Sequence, residues 1–105
     1  MAGMYSLNDL LNLLAQEGGE EVRLEPGKPP VMVLQGRPKV VDGALVTTDY
    51  VAELFRGVAT EEQRRELDSC GDLHFTFVSR GSARFSLQAA IQGENLTLTI
   101  KNIGR

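Results

Sequence analysis

Cysteine and histidine are almost absent from this sequence, which contains one of each, Cys70 and His74. A single cysteine cannot form a disulfide within the chain or supply a cysteine-based zinc site. Asp68 and Asp72 would oppose formation of a Cys70 thiolate, so a nucleophilic role is disfavoured. His74 alternates with apolar residues, which predicts an outward-facing strand residue rather than a general base. This cysteine usage favours a reducing, cytoplasmic location.

The sequence also lacks an excess of basic residues and any long apolar segment. Its formal net charge is −3 and its pI is about 5.1, which argues against nucleic acid or an anionic membrane as the main partner. The longest apolar runs, such as residues 29–34, are too short to cross a bilayer, so we expect no direct membrane insertion. No Gly-x-x-x-x-Gly-Lys-Ser/Thr loop is present, so the chain has no P-loop for a nucleoside triphosphate.

The composition that remains is that of a globular protein. Of the 105 residues, 42% are apolar and 24% are charged. This length suits one hydrophobic core, and neither an internal repeat nor a linker is visible. Residues 1–105 are therefore predicted to form a single domain.

The spacing of apolar residues predicts three helices in two groups. In the first helix Ser6 and Asp9 form a capping-box pattern ahead of a leucine stripe, and two glycines end the helix. The stripe could bind a partner helix, but packing in the core is the stronger interpretation for a small domain. The predicted helices are residues 7–17, a helix capped by Thr47, and a short helix capped by Thr60 and Gln63 that reaches Leu67.

Alternation of apolar and polar residues predicts strands on either side of the second helix group. Residues 31–35 do not alternate; they are apolar on both faces, which predicts a more central strand. The last three strands are separated by short turns and should form an antiparallel meander. One face of the sheet should meet the helices and the other should stay polar, which gives an α+β fold with a mixed or antiparallel sheet. The six predicted strands are residues 21–24, 31–35, 39–41, 73–78, 84–92 and 96–101, with Gly36-Arg37-Pro38 as the turn before the third.

Four short segments, Gly27-Lys28-Pro29-Pro30, 71–77, 83–89 and 100–104, follow one another along the chain, and together they resemble segments of type IV pilus retraction ATPases of the PilT family. Gly27, Pro29 and Pro30 match that family's Gly-x-Pro-Pro turn. Segments 71–77 and 83–89 resemble its Asp-x-x-Phe-x-Phe and Ala-Arg-Phe-Arg-x-Asn segments, and segment 100–104 resembles the Arg-x-Ile-Pro that precedes its motor domain. The departures are Glu20 and Arg23 for a serine and a histidine, Ser86 for arginine, Gln88 for asparagine and Gly104 for proline.

The resemblance implies a PAS-like N-terminal domain of a retraction ATPase that is active in twitching motility. Such a domain has no catalytic role of its own and contacts an ATPase domain, in cis or in a neighbouring subunit. The resemblance also implies that a homo-hexamer forms only when the motor domain is present. It implies no cofactor in this chain, because ATP and Mg²⁺ would belong to the missing motor domain. A stand-alone PAS-like ligand-sensing or adaptor domain is the alternative, and a large cavity would favour it.

The polar face of the predicted sheet is the candidate interface. If the phenylalanines and leucines of the strands point inward, a neutral-to-basic set of side chains points outward on an acidic protein. An ordinary solvated sheet face explains the same pattern, while a docking face for an acidic or nucleotide-bearing neighbour is the functional interpretation. The candidate interface residues are Arg23, Arg84, Ser86, Gln88 and Lys101.

Overall fold

The computed structural model describes residues 7–41, 45–78, 84–93 and 95–104. Within these residues the chain forms three helices and six strands. They are α1 (Leu7–Gln16), β1 (Glu21–Leu24), β2 (Val31–Leu34), β3 (Arg37–Val40), α2 (Thr48–Val58), α3 (Glu61–Cys70), β4 (Asp72–Val78), β5 (Arg84–Gln92) and β6 (Asn95–Gly104).

The six strands form one sheet in the order β3-β2-β1-β6-β5-β4. Every neighbouring pair is antiparallel, including β1 and β6, which join the two halves of the chain at the centre of the sheet. The predicted α+β class is therefore confirmed, with a sheet that is antiparallel throughout rather than mixed. β2 lies between two strands, in agreement with its apolar character on both faces.

A single hydrophobic core fills the space between the three helices and one face of the sheet. Leu87 and Ile100 are opposite each other on neighbouring strands and are fully buried. The leucine stripe of α1 belongs to this core, as do Val51, Leu54 and Phe55 of α2. The prediction that the helices lie mainly on one face is confirmed, since none of the described residues on the other face of the sheet is buried.

The helix starts follow the predicted capping chemistry where the structure describes them. Thr47 Oγ1 accepts a hydrogen bond from the backbone N–H of Tyr50 at 3.0 Å, so Thr47 is the N-cap of α2. Thr60 and Gln63 form a complete capping box at α3. Helix α3 runs to Cys70 rather than stopping at Leu67, because Gly71 supplies the left-handed C-cap. The predicted Ser6 cap lies outside the described residues.

The third strand differs from its prediction. The Gly36-Arg37-Pro38 turn and the strand at 39–41 are wrong, because the turn is Gln35-Gly36 and the strand is Arg37–Val40. Both turn residues have positive φ, 51° and 78°, as in the two-residue turns that suit twisted hairpins. Pro38 fits within β3 because β3 is an edge strand of the sheet, where a missing N–H donor is tolerated.

Candidate interface on the open face of the sheet

The face of the sheet that points away from the helices, here named the open face, carries most of the polar strand residues. They alternate with the core residues of the same strands, as the pleat of a β-sheet requires. The polar members are Glu21, Arg23, Asp72, His74, Thr76, Arg84, Ser86, Gln88, Gln92, Asn95, Thr97, Thr99 and Lys101.

The structure places all five predicted interface residues on this face and brings four of them close together. Lys101 is opposite Ser86 on β5, so these two form one cross-strand row. Thr99 is opposite both Arg23 and Gln88, which places these two in the adjacent row. Arg84 is at a corner of the sheet, where it pairs with Val78, and the register between β5 and β6 shifts between Arg84 and Phe85. Their role in an interface stays a prediction.

Glu21 is a member of the open face that the prediction left out. Its carboxylate forms an ion pair with Arg23 and lies 3.9 Å from the Lys101 ammonium. Only 13% of the Glu21 side chain is exposed, against 55% for Arg23 and 59% for Lys101. One shielded carboxylate therefore holds two cations that remain accessible to a partner. Its signal in the sequence is plain, because inward-facing Val22 and Leu24 force Glu21 outward.

His74 contacts Ser86 across the open face. The His74 Nε2 and Ser86 Oγ atoms are 2.6 Å apart, so they share a hydrogen bond whose donor depends on the tautomer of the ring. Catalysis by such a pair requires a group that orients the imidazole. No hydrogen bond or ion pair between His74 and a carboxylate is found among the described residues, and the same residues form no cluster of metal-ligating side chains. His74 is exposed, so its predicted outward position on the strand is confirmed.

The polar rows are flanked by apolar side chains. These apolar residues were not part of the interface predicted from the sequence. On one side Val31 is opposite Val40 on edge strand β3, and Val40 is 59% exposed. At the other edge Val78 is 63% exposed beside Arg84. The open face therefore combines central polar rows with exposed apolar residues at both edges of the sheet.

Glu20, one of the departures from the family pattern, has a structural role. Its carboxylate accepts a hydrogen bond from the backbone N–H of Gly36 at 2.9 Å, which fixes the β2–β3 turn. Its backbone N–H donates to Val33 and its carbonyl accepts from Asn102. Glu20 therefore connects three strands near the middle of the sheet.

The Gly-x-Pro-Pro segment lies in the loop between β1 and β2. Gly27 has a φ of 87°, and its N–H donates to the carbonyl of Val46 at 2.8 Å. Pro30 is buried, and its carbonyl accepts from the N–H of Val41 at 2.9 Å. The segment holds the chain that leads into α2, so its role here is structural.

Comparisons with known proteins were made for sequence and for fold. No family model matches the chain. The type IV pilus ATPase PilU of Pseudomonas aeruginosa is 29% identical over 94 residues, which cover 90% of this chain and 25% of PilU. The chain thus spans about a quarter of the length of this relative. None of the described helices is long and apolar enough to span a membrane.

Two solved structures share the fold. The pilus retraction motor PilT with bound ADP superposes with a TM-score of 0.88 at 22% identity, over 95% of this chain and 29% of PilT. The Legionella pneumophila ATPase DotB superposes with a TM-score of 0.78 at 13% identity, over 94% of this chain and 29% of DotB. The predicted resemblance to the N-terminal domain of a PilT-family ATPase is therefore confirmed by sequence similarity to PilU and by the shared fold.

Proposed function

We propose that this chain is a non-catalytic N-terminal domain of a type IV pilus retraction ATPase and that its open face docks on an ATPase domain, in the same subunit or in a neighbouring one. The observation that carries the proposal is a helix-free sheet face with exposed cations at its centre and apolar flanks. The similarity to PilU supports the kind of parent protein. The domain would then help to couple the nucleotide state to the motion of the ring.

The charges of the open face favour an acidic partner surface. Arg23 and Lys101 share one shielded carboxylate, so their donors are only partly used within the chain. Arg84 is exposed and has no ion pair among the described residues. Complementary charge steers association and fixes the register of two docked surfaces, while Val31 and Val40 supply apolar area to bury.

The chemistry of ATP belongs to another part of the proposed protein. This sequence contains no P-loop, so ATP and Mg²⁺ would be bound by the ATPase domain. Assembly into a hexamer would likewise depend on that domain, and the site of action would be the cytoplasm. The isolated chain should therefore show no tight binding of ATP in calorimetric titration.

A chimeric motor tests the proposal. This chain would replace the corresponding N-terminal quarter of PilU, and ATP hydrolysis and ring assembly would be measured. Arg84→Ala should lower the coupled activity roughly three- to ten-fold, since a charged interfacial contact is lost. The matched control is Lys39→Ala, which removes an exposed cation on the helix side of the sheet, opposite Met32. Full activity of the Arg84 variant, or equal losses in both variants, would reject docking through the open face.

A further inference from the structure

The helix side of the molecule carries a groove that the proposed function does not use. It has a volume of about 300 Å³ and lies between α2, α3 and the end of the sheet where β5 turns into β6. Its floor is apolar and consists of Phe55, Leu67, Ile91 and Leu96. Ile91 is 38% exposed although it lies on the inward face of β5, so the helices leave this part of the core open to solvent.

Two arginines at the rim of this groove have few hydrogen-bond partners for their side chains. Arg64 is half-buried on α3, and its guanidinium group has no hydrogen bond or ion pair among the described residues. Arg56 on α2 makes one long hydrogen bond, 3.4 Å, to the carbonyl of Ala52 in its own helix. Asp68 is also at the rim, one turn after Arg64, yet it forms no ion pair with either arginine within 4.0 Å. By contrast, the neighbouring Arg65 is paired with Glu61 at 2.7 Å.

We propose that this groove binds a segment of a protein partner in which an acidic residue adjoins a large apolar residue. The apolar side chain would lie on the floor formed by Phe55, Leu67 and Ile91, and the carboxylate would accept hydrogen bonds from Arg64 and Arg56. Guanidinium groups match carboxylates in a two-pronged geometry, and hydrogen bonds between charged groups are stronger than neutral ones.

The volume and the charges of the groove set the class of ligand. About 300 Å³ is at the lower end of small-molecule sites, so the groove suits one or two anchoring side chains of a larger partner. Asp68 would repel a doubly charged phosphate more than a single carboxylate, and the apolar floor offers nothing to a fully polar anion. A carboxylate joined to an apolar side chain satisfies both parts of the site.

The location of the groove separates it from the proposed docking face. The groove is on the helix side and near Leu96, whereas the open face is on the opposite side of the sheet. The strand from Leu96 to Gly104 is about 26 Å long at the usual rise per residue, so the groove is also far from the end of β6. A partner bound here would leave the open face accessible, and the inference does not rest on docking to an ATPase domain.

The probe for this groove is the peptide acetyl-Gly-Glu-Phe-Gly-amide, titrated into the ¹⁵N-labelled chain and followed by amide chemical shifts. Saturable shifts are expected around Phe55, Arg64 and Ile91. The peptide with Gln in place of Glu should bind roughly ten-fold more weakly, the equivalent of about 1.4 kcal/mol. Equal binding of both peptides, shifts on the open face instead, or equally strong effects of inorganic phosphate would overturn the proposal.

Two matched variants test the role of the unpaired arginine. Arg64→Gln should weaken binding of the Glu peptide roughly ten-fold but leave the Gln peptide unaffected, because only the charged contact is lost. Arg65→Gln removes the adjacent arginine, which is paired with Glu61 outside the groove, and should leave both peptides unaffected. Glutamine and arginine have similar helix propensities, so α3 should be retained in both variants. Equal effects of the two substitutions would show that only the net charge of the protein matters and would reject the site.

Discussion

Phe85 is the side chain whose removal should cost the fold most on the second half of the sheet. It is 1% exposed, and its ring lies 5.7 Å from that of Phe77 at an interplanar angle of 28°. Truncation of a buried phenylalanine to alanine costs about 3–5 kcal/mol, depending on how far the cavity collapses. Because Phe77 is only half-buried, it can move toward the vacated space. We therefore expect Phe85→Ala to lower the free energy of unfolding by about 3 kcal/mol.

The assay is urea unfolding of the 105-residue chain, and the matched control is the adjacent residue on the same strand. With an m-value of about 2 kcal/mol per molar urea, the Phe85→Ala midpoint should fall by about 1.5 M. Arg84 is exposed on the open face, so Arg84→Ala should change the free energy of unfolding by at most about 0.5 kcal/mol. Similar losses for the two variants would refute the assignment of their faces, because adjacent strand residues point to opposite sides of the sheet.

Two further predictions concern backbone packing and pH. Gly19→Ala should destabilise the chain by about 1–3 kcal/mol, because the new Cβ would lie 2.5 Å from Leu14 Cδ1 in the core. The Cβ added by Gly57→Ala has no atom within 4 Å, so this substitution should instead stabilise α2 by about 0.5–1 kcal/mol. Urea midpoints that shift in the same direction for the two variants would contradict these two predictions. Burial, with a smaller contribution from the Asp9 charge, raises the pKa of Tyr50 to about 12 from 10.0. Folding therefore favours the neutral phenol, and the stability that this adds is lost as the pH rises from 10 to 12. Urea midpoints at pH 9 and pH 11 should show this loss in the unmodified chain but not in Tyr50→Phe. A parallel loss in both proteins would rule out Tyr50 as its source.

The second half of the fold was predictable because local signals agree with one another. Residues of β4, β5 and β6 alternate strictly, and the α3 capping box is complete within four residues. The order of the strands was not predictable, since nothing in Glu21–Leu24 specifies β6 rather than another strand as a neighbour. The boundary of β3 was misplaced because Gly36-Arg37-Pro38 looks like a turn, while the positive φ of Gln35 shows only in three dimensions.

The candidate sites likewise include a part that the sequence predicts and a part that depends on the three-dimensional structure. Alternation alone placed Arg23, Ser86 and Lys101 on one face, because the period of a strand fixes the direction of each side chain. The ion pair between Glu21 and Lys101 was missed, since it depends on the register between two strands that are far apart in sequence. The groove beside Arg64 was missed as well, because it arises from the packing of two helices against the end of the sheet.

The central pairing of β1 with β6 has a consequence for the newly made chain. The first strand can meet β2 early through a local hairpin, but its other edge must wait until the last strand has left the ribosome. Until then Val22 and Leu24 lack their partners Ile100 and Leu98, and the first half of the nascent chain presents an unpaired strand edge with apolar side chains. Contacts between such distant residues also slow folding. The chain should therefore fold only after synthesis of β6, and it should depend on a chaperone more than a domain with purely local pairing.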